Sequence, residues 1–380
     1  QTGTGKTLAF AIPVMQRISI TKKVGLVILP TRELALQVEE TFKKFGGPFG
    51  LRTAILIGGA SMSLQLQDIR RKPHVIIATP GRLIDHLDQK NLTLGNVGTL
   101  VLDEADHMLD MGFEPQLKRV LVGVPTDRQT LLFSATMPEA ISTIARKYMK
   151  KPLRIEVAPS GTTSERVDQE VFIVPKTEKI ALLKKVLGEY RGTVLVFSRT
   201  KHGATKIART IRTMGYSSTE LHSNRSLAQR KDALAGFKSG RYRILVATDI
   251  AARGIDVTGI ELVINFDLPD HTEDYVHRIG RTARAGRAGK AISFAAPEQK
   301  NDIRQIERLI RSRLSVKTAS GEIVEHLDER EKTQTNPSHR RPDRHRSHGH
   351  RSPRSTGPRD RSHPRSRLQR SDRPSSQPPA

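Results

Sequence analysis

The chain has 380 residues, enough for two ordinary domains with a tail to spare. Its formal net charge of +25 points to a polyanionic partner, and no run of apolar residues reaches the length of a membrane helix. Cysteine is absent, which excludes disulfides, thiolate zinc sites and a cysteine nucleophile, and fits a reducing compartment such as the cytoplasm.

From Lys6 to about Val157, short apolar runs alternate with helical patterns. Residues 24–29, 75–78, 99–102 and 129–133 are apolar over a strand's length, which predicts parallel strands covered on both faces. Helices are predicted through Leu8–Ile12 and over 31–44, 82–88 and 138–148. In the second of these, Leu34, Val38, Thr41, Phe42 and Phe45 share one face. Pro152 and the small, polar stretch 158–164 predict a linker over 158–167. The rhythm then restarts, with strands expected at 169–174, 193–197, 243–247, 262–265 and 291–295. Helices are expected at 177–189, 202–214, 227–238 and 298–314. The expected fold class is α/β, with one domain over 1–157 and a second over 168–314, both built on parallel sheets. A cleft between them would let strand ends from both sides meet a ligand. A connecting segment follows over 315–334. Residues 335–380 carry twelve arginines against three aspartates and almost no apolar side chain, so they are expected to form a disordered basic arm.

The segment Gln1-Thr2-Gly3-Thr4-Gly5-Lys6-Thr7 matches the end of a phosphate-binding loop. Thr2, Gly3, Thr4 and Gly5 would turn backbone N–H groups toward phosphates, Lys6 would meet the β and γ oxygens, and Thr7 would ligate Mg²⁺. The chain opens on Gln inside this loop, so an N-terminal truncation is expected. The strand ending at Leu102 runs into Asp103, Glu104 and Asp106. Three carboxylates in four positions repel one another unless a cation compensates them, although carboxylates also suit a helix N-terminus. With Lys6 upstream, Asp103 would hold Mg²⁺ and Glu104 would orient or deprotonate an attacking water. Arg278, Arg281 and Arg284 lie in the second domain, spaced either as a solvated helix face or as arginine fingers acting on domain closure. Small residues beside a base or hydroxyl recur just after predicted strands: Arg32, Gly58-Gly59, Thr79 with Arg82, Thr248, and Arg253-Gly254. Each alone reads as a turn or a cap, but together they suggest a track for a nucleic-acid backbone. Aromatics are 4% of the chain and Trp is absent, so base stacking contributes little and sequence-independent recognition is expected.

In order and spacing these stretches resemble the DEAD-box RNA helicases, most nearly the bacterial RhlE-like branch. The matching stretches are Gln1–Thr7, Pro30–Ala35, Gly58-Gly59, Thr79–Arg82, Asp103-Glu104-Ala105-Asp106, Ser134-Ala135-Thr136, Val196–Thr200, Ala247–Asp256 and His277–Arg284. The resemblance implies two tandem RecA-like domains, ATP and Mg²⁺ in the cleft, and single-stranded or short duplex RNA crossing both domains. It implies that Ser134 and Thr136 tie Asp106 to an interdomain network shared with His277. It also implies that Asp256 reaches the nucleotide, that Arg281 and Arg284 approach the γ-phosphate, and that Arg199 joins the RNA track. The expected function is ATP-dependent RNA unwinding by a monomer that needs no membrane. An ATP-gated RNA clamp is the alternative, and DNA unwinding is a weaker third. The adenine-reading Gln element lies upstream of residue 1 in the family. Leu227 replaces the first residue of the family's Gln-x-x-Arg element, with Arg230 retained, so one RNA or interdomain contact is expected to be lost. Ala283 stands where Gly is usual, which reads as a conservative change.

Overall fold

A computed structural model describes residues 5–156, 167–252, 257, 259–283, 288–318 and 320–323. The first domain runs α1 (Lys6–Thr21), β1 (Val24–Ile28), α2 (Arg32–Gly46), β2 (Thr53–Leu56), α3 (Met62–Arg70), β3 (Val75–Ala78) and α4 (Pro80–Asp88). It continues with β4 (Val97–Leu102), α5 (Ala105–Asp110), α6 (Glu114–Gly123), β5 (Gln129–Leu132) and α7 (Glu139–Tyr148). Its strands pair in parallel in the order β2-β3-β1-β4-β5. Successive residues of a strand point to opposite faces, and helices cover both. Leu26 and Ile28 of β1 pack with Leu83, Leu117 and Val120, whereas Val27 and Leu29 meet Phe10, Val14, Val38 and Phe42. Each such side chain contributes about 1.5–3 kcal/mol by leaving water, which is why the central strands read as unbroken apolar runs.

The second domain runs β6 (Val167–Ile173), α8 (Lys179–Glu189), β7 (Val194–Phe197), α9 (Lys201–Thr213), β8 (Ser218–Leu221), α10 (Leu227–Lys238) and β9 (Ile244–Ala247). After it come α11 (Asp249–Ala252), β10 (Leu262–Asn265), α12 (Thr272–Ile279), β11 (Gly289–Ala295), α13 (Lys300–Ile310) and β12 (Ser315–Thr318). This sheet is also parallel, in the order β12-β6-β11-β10-β7-β9-β8. Parallel pairing puts the C-terminal ends of all strands in a domain along one edge, and the loops leaving that edge carry the site.

Three strands, β2, β8 and β12, were not expected, and the structure places all three at sheet edges. An edge strand has a neighbour on one side only and needs no continuous apolar run, so Ser-Thr-Glu-Leu and Ser-Val-Lys-Thr give no clear pattern. β12 carries the second sheet past Leu314, into what reads from sequence as a connection. The helix expected over 298–314 is shorter, Lys300–Ile310, after a 3₁₀ turn at Pro297–Gln299. The sequence pattern does not separate helices α3, α5, α6, α11 and α12 from the surrounding loops. Among the described residues no helix is long and apolar enough to cross a membrane. The arm after residue 334 lies outside the described residues.

Candidate active site and nucleic-acid interface

Gly5 caps α1 in the left-handed conformation, at φ 78°, and delivers Lys6 as the first residue of the helix. Lys6 Nζ lies 3.9 Å from Asp103 Oδ1, at the end of the buried strand β4. Asp103 is 3% exposed, and burial pushes its carboxyl up to about 6 against the opposing pull of Lys6. A carboxylate held this way is costly without a cation beside it. Glu104 follows at φ 50° and ψ 53°, a left-handed conformation that costs a non-glycine residue roughly 1–3 kcal/mol. Its Oε2 is buried without a hydrogen-bond partner and lies 3.6 Å from His107 Nδ1. Lys6, Asp103 and Glu104 thus form a hard-oxygen and ammonium set suited to a phosphate chain with a divalent cation, and Thr7 follows Lys6 in α1. Thr2, Gly3 and Thr4 lie outside the described residues.

Asp106 adds a little of its charge to Asp103 but spends its hydrogen bonds elsewhere. Its Oδ2 accepts hydrogen bonds from Ala135 N at 3.2 Å, Thr136 N at 2.9 Å and Thr136 Oγ1 at 2.9 Å. Its own N–H donates to Ser134 Oγ at 3.1 Å. The loop after β5 is thereby clamped to the start of α5.

From the second domain, the His277 ring comes within 6.2 Å of the His107 ring, centroid to centroid. Arg281, 5% exposed, donates through Nε to the His277 carbonyl at 3.3 Å and lines a small cavity with Asp249, Asp274 and Phe197. Arg278 has a different part. It is 2% exposed, grips Asp249 through two bonds of 2.5 and 2.7 Å, donates to the Asp267 carbonyl at 2.6 Å and stacks over Phe197. It is a packing arginine that fixes α12 to the sheet. Ala283 lies at φ 54°, so the expected conservative replacement is a strained one, held where glycine would be free. Arg284, Asp256 and Gly254 lie outside the described residues.

The residues expected to bind RNA gather along the strand-end edge. Thr31 caps α2 by accepting from Leu34 N at 3.3 Å, which places Arg32 at the helix start. Gly58 and Gly59 leave room for it: a Cβ on Gly59 would stand 2.5 Å from Arg32 Nη1, and Gly59 has φ 77°. Burial, followed by the guanidinium of Arg230, pushes Arg32 below the usual arginine range, and Arg82 adds to it. Thr79 begins α4, and Arg82, one turn later, pairs with Asp85 at 3.5 Å. In the second domain Arg199 follows β7 and pairs with Asp270 at 3.2 Å, and Thr248 follows β9.

Sequence reasoning passed over one contact. Arg230 Nη2, on α10, donates to Glu33 Oε2, on α2, at 2.7 Å, and both side chains are buried. Leu227, one turn earlier, packs on the first domain's cluster around Phe10, Leu34 and Val38. Leu227 thus makes an apolar contact with the first domain at the position where the sequence predicts the loss of one RNA or interdomain contact. Glu33 looked like an ordinary first-turn carboxylate, and nothing local in the sequence says that its partner lies 197 residues away.

Comparison with known proteins agrees over both domains. Residues 1–144 match the DEAD/DEAH box helicase family and residues 178–286 the helicase conserved C-terminal domain. The chain is 44% identical over 298 residues to the ATP-dependent rRNA helicase RRP3 of Debaryomyces hansenii, covering 77% of this chain and 62% of that one. It is 42% identical over 317 residues to the DEAD-box ATP-dependent RNA helicase CshA of Geobacillus kaustophilus, covering 83% and 68%. It therefore spans roughly two thirds of the length of these relatives. Among solved structures, S. cerevisiae Dbp5 bound to RNA and ADP BeF3 superimposes with a TM-score of 0.75 at 28% identity, covering 84% of each chain. Mss116p bound to ssRNA and AMP-PNP gives 0.76 at 28% identity, covering 84% of this chain and 69% of that one. A yeast and a bacterial helicase are thus both near relatives, which assigns no branch, but family profile, identity and fold coincide over the same residues. The chain belongs to the DEAD-box ATP-dependent RNA helicases.

Proposed function

We propose that this chain hydrolyses ATP in response to RNA and uses the cycle to separate short RNA duplexes locally. The observation that supports this reading is that Lys6, Asp103 and Glu104 lie on one domain and Arg281 on the other, and that the two domains meet at His107 and His277. Lys6 would neutralise the β and γ phosphates, and Glu104 would orient and deprotonate the attacking water. Asp103 and Thr7 would hold Mg²⁺, which supplies charge neutralisation on the phosphate oxygens. Arg281, with Arg284, would meet the charge developing on the transferred phosphoryl group once the domains are closed. Asp256 would contact the nucleotide from the second domain. Asp106, through Ser134 and Thr136, would carry the state of the nucleotide to the interface.

Arg32, Gly59, Thr79 and Arg82 on one domain, with Arg199, Thr248 and Gly254 on the other, would hold an RNA backbone across both. Relatives with the same fold over both domains are bound to RNA and to nucleotide analogues, and the domain contact at Glu33 and Arg230 suits such a closed arrangement. Within the family, the likeness to the bacterial RhlE-like branch rests on the motifs alone. A monomer suffices for this scheme, since both halves of the site come from one chain.

The test is RNA-stimulated ATP turnover in the full-length protein. Lys6→Ala or Glu104→Gln should abolish it, and full turnover in either variant overturns the assignment. Displacement of a short duplex with ATP, but not with a non-hydrolysable analogue over repeated cycles, separates unwinding from a clamp that only binds.

A further inference from the structure

β8 is the outer strand of the second sheet, next to β9. Thr248 N donates to the Leu221 carbonyl at 3.2 Å, so the end of β8 adjoins the proposed RNA track directly. Along the open flank of β8 lies a pocket of about 400 Å³, lined among others by Arg212, Thr219, Glu220, Arg225 and Gln229. Its polar side chains are arranged around one buried carboxylate. Glu220 has a side chain 3% exposed, and neither oxygen has a conventional hydrogen-bond partner. Arg225 forms an ion pair with it, and Arg212 Nη2 stands 3.9 Å away. Arg212 Nη1 also donates to the Ser218 carbonyl at 3.3 Å.

Two guanidiniums on one carboxylate leave an excess positive charge at the pocket wall. A guanidinium has five N–H donors, and these contacts use only a few of them. Thr219 adds a hydroxyl. Gln229 spends its carbonyl oxygen on the Ser226 N–H at 3.0 Å, which leaves its amide hydrogens for a ligand. Asp232, at the pocket rim, is engaged by Arg241 at 2.6 Å and offers little opposing charge. Guanidinium, amide and hydroxyl donors with a surplus positive charge, around a carboxylate already faced by both guanidiniums, suit a phosphate group.

We propose that this pocket binds a backbone phosphate of the RNA beyond the two-domain track, with Glu220 as the positioning residue that holds Arg212 and Arg225. The proposal rests on the RNA reading given above. Arg199, Thr248 and Arg225 follow β7, β9 and β8, neighbours in the sheet, so the pocket is the next station outward for a strand leaving the track. It reads charge and not sequence.

The experiment measures binding of single-stranded RNA of two lengths, one that only crosses the two domains and one several nucleotides longer, over a range of salt. Arg212→Gln removes a half-exposed donor without disturbing the core. The double variant Glu220→Gln/Arg225→Gln neutralises the pair while keeping its shape, and a thermal unfolding midpoint near the parent's checks that it is folded. The parent should bind the longer RNA more tightly, with a steeper salt dependence. Both variants should lose that gain equally for all base sequences, with the salt slope falling by about 1 per lost phosphate contact. Parent-like affinity and slope in both variants overturn the proposal. A rise in the parent's unfolding midpoint with inorganic phosphate, lost in the variants while RNA binding stays unchanged, overturns it in favour of a free-phosphate site. A parent without any RNA-stimulated ATPase would instead remove the helicase reading, in a separate assay.

Discussion

Glu33 on the first domain and Arg230 on the second form a buried ion pair at 2.7 Å across 197 residues of sequence. The pair is incomplete, since Glu33 Oε1 and Arg230 Nε are buried without hydrogen-bond partners. Desolvation offsets most of the attraction in such a pair, so it fixes register more than it adds stability. Removing one partner strands the other charge and costs the closed arrangement about 3–5 kcal/mol. Glu33→Gln and Arg230→Gln should each raise the RNA concentration needed for half-maximal ATPase by at least tenfold. The double variant should recover part of the loss, and strictly additive effects would show that the two do not act together.

Gly59 is expected to be intolerant of a side chain. At φ 77°, with Arg32 Nη1 2.5 Å from where a Cβ would stand, Gly59→Ala both strains the turn and displaces the arginine. RNA affinity should fall in Gly59→Ala about as far as in Arg32→Ala. Nucleotide affinity without RNA should stay with the parent.

Asp106 is a structural clamp, beside the coupling role proposed for it. Asp106→Ala abandons three donors to Oδ2, two of them backbone N–H groups, and should cost the first domain about 3 kcal/mol in chemical denaturation. Thr136→Val removes one donor, keeps the shape, and should cost only about 1 kcal/mol. A Thr136→Val variant as unstable as Asp106→Ala would contradict this apportionment.

Strand β12 is tied to β6 by charge. Burial alone would raise Glu170, but hydrogen bonds from Lys290 and Lys317, each 2.9 Å long, hold it below the usual glutamate range. A carboxylate lowered in the folded state stabilises above its unfolded pKa, and that stability disappears as pH falls through the folded value. Glu170→Gln should therefore lower the unfolding midpoint near neutral pH. The gap to the parent should close as pH falls below about 4. A gap that stays constant with pH would mean that packing, not the charge of Glu170 on Lys290 and Lys317, holds β6 to β11 and β12.

The sequence by itself determined the repeated α/β rhythm and the buried central strands, and it singled out Lys6 and Asp103-Glu104, for which we propose the phosphate chemistry. Each of these is written in consecutive residues: an apolar run marks a strand, and glycines followed by Lys-Thr match the pattern of a phosphate loop. Only the tertiary structure decided the roles that depend on partners distant in the chain. It made Arg278 a buried support gripping Asp249 and left Arg281 beside His277, although the same short motif carries both. It found in Leu227 an apolar contact with the first domain and strain in Ala283. It placed β2, β8 and β12 at sheet edges, where a strand pairs on one side only and needs no unbroken apolar run. Periodicity reports what a segment buries, and which segment it is buried against is settled only when the chain has closed.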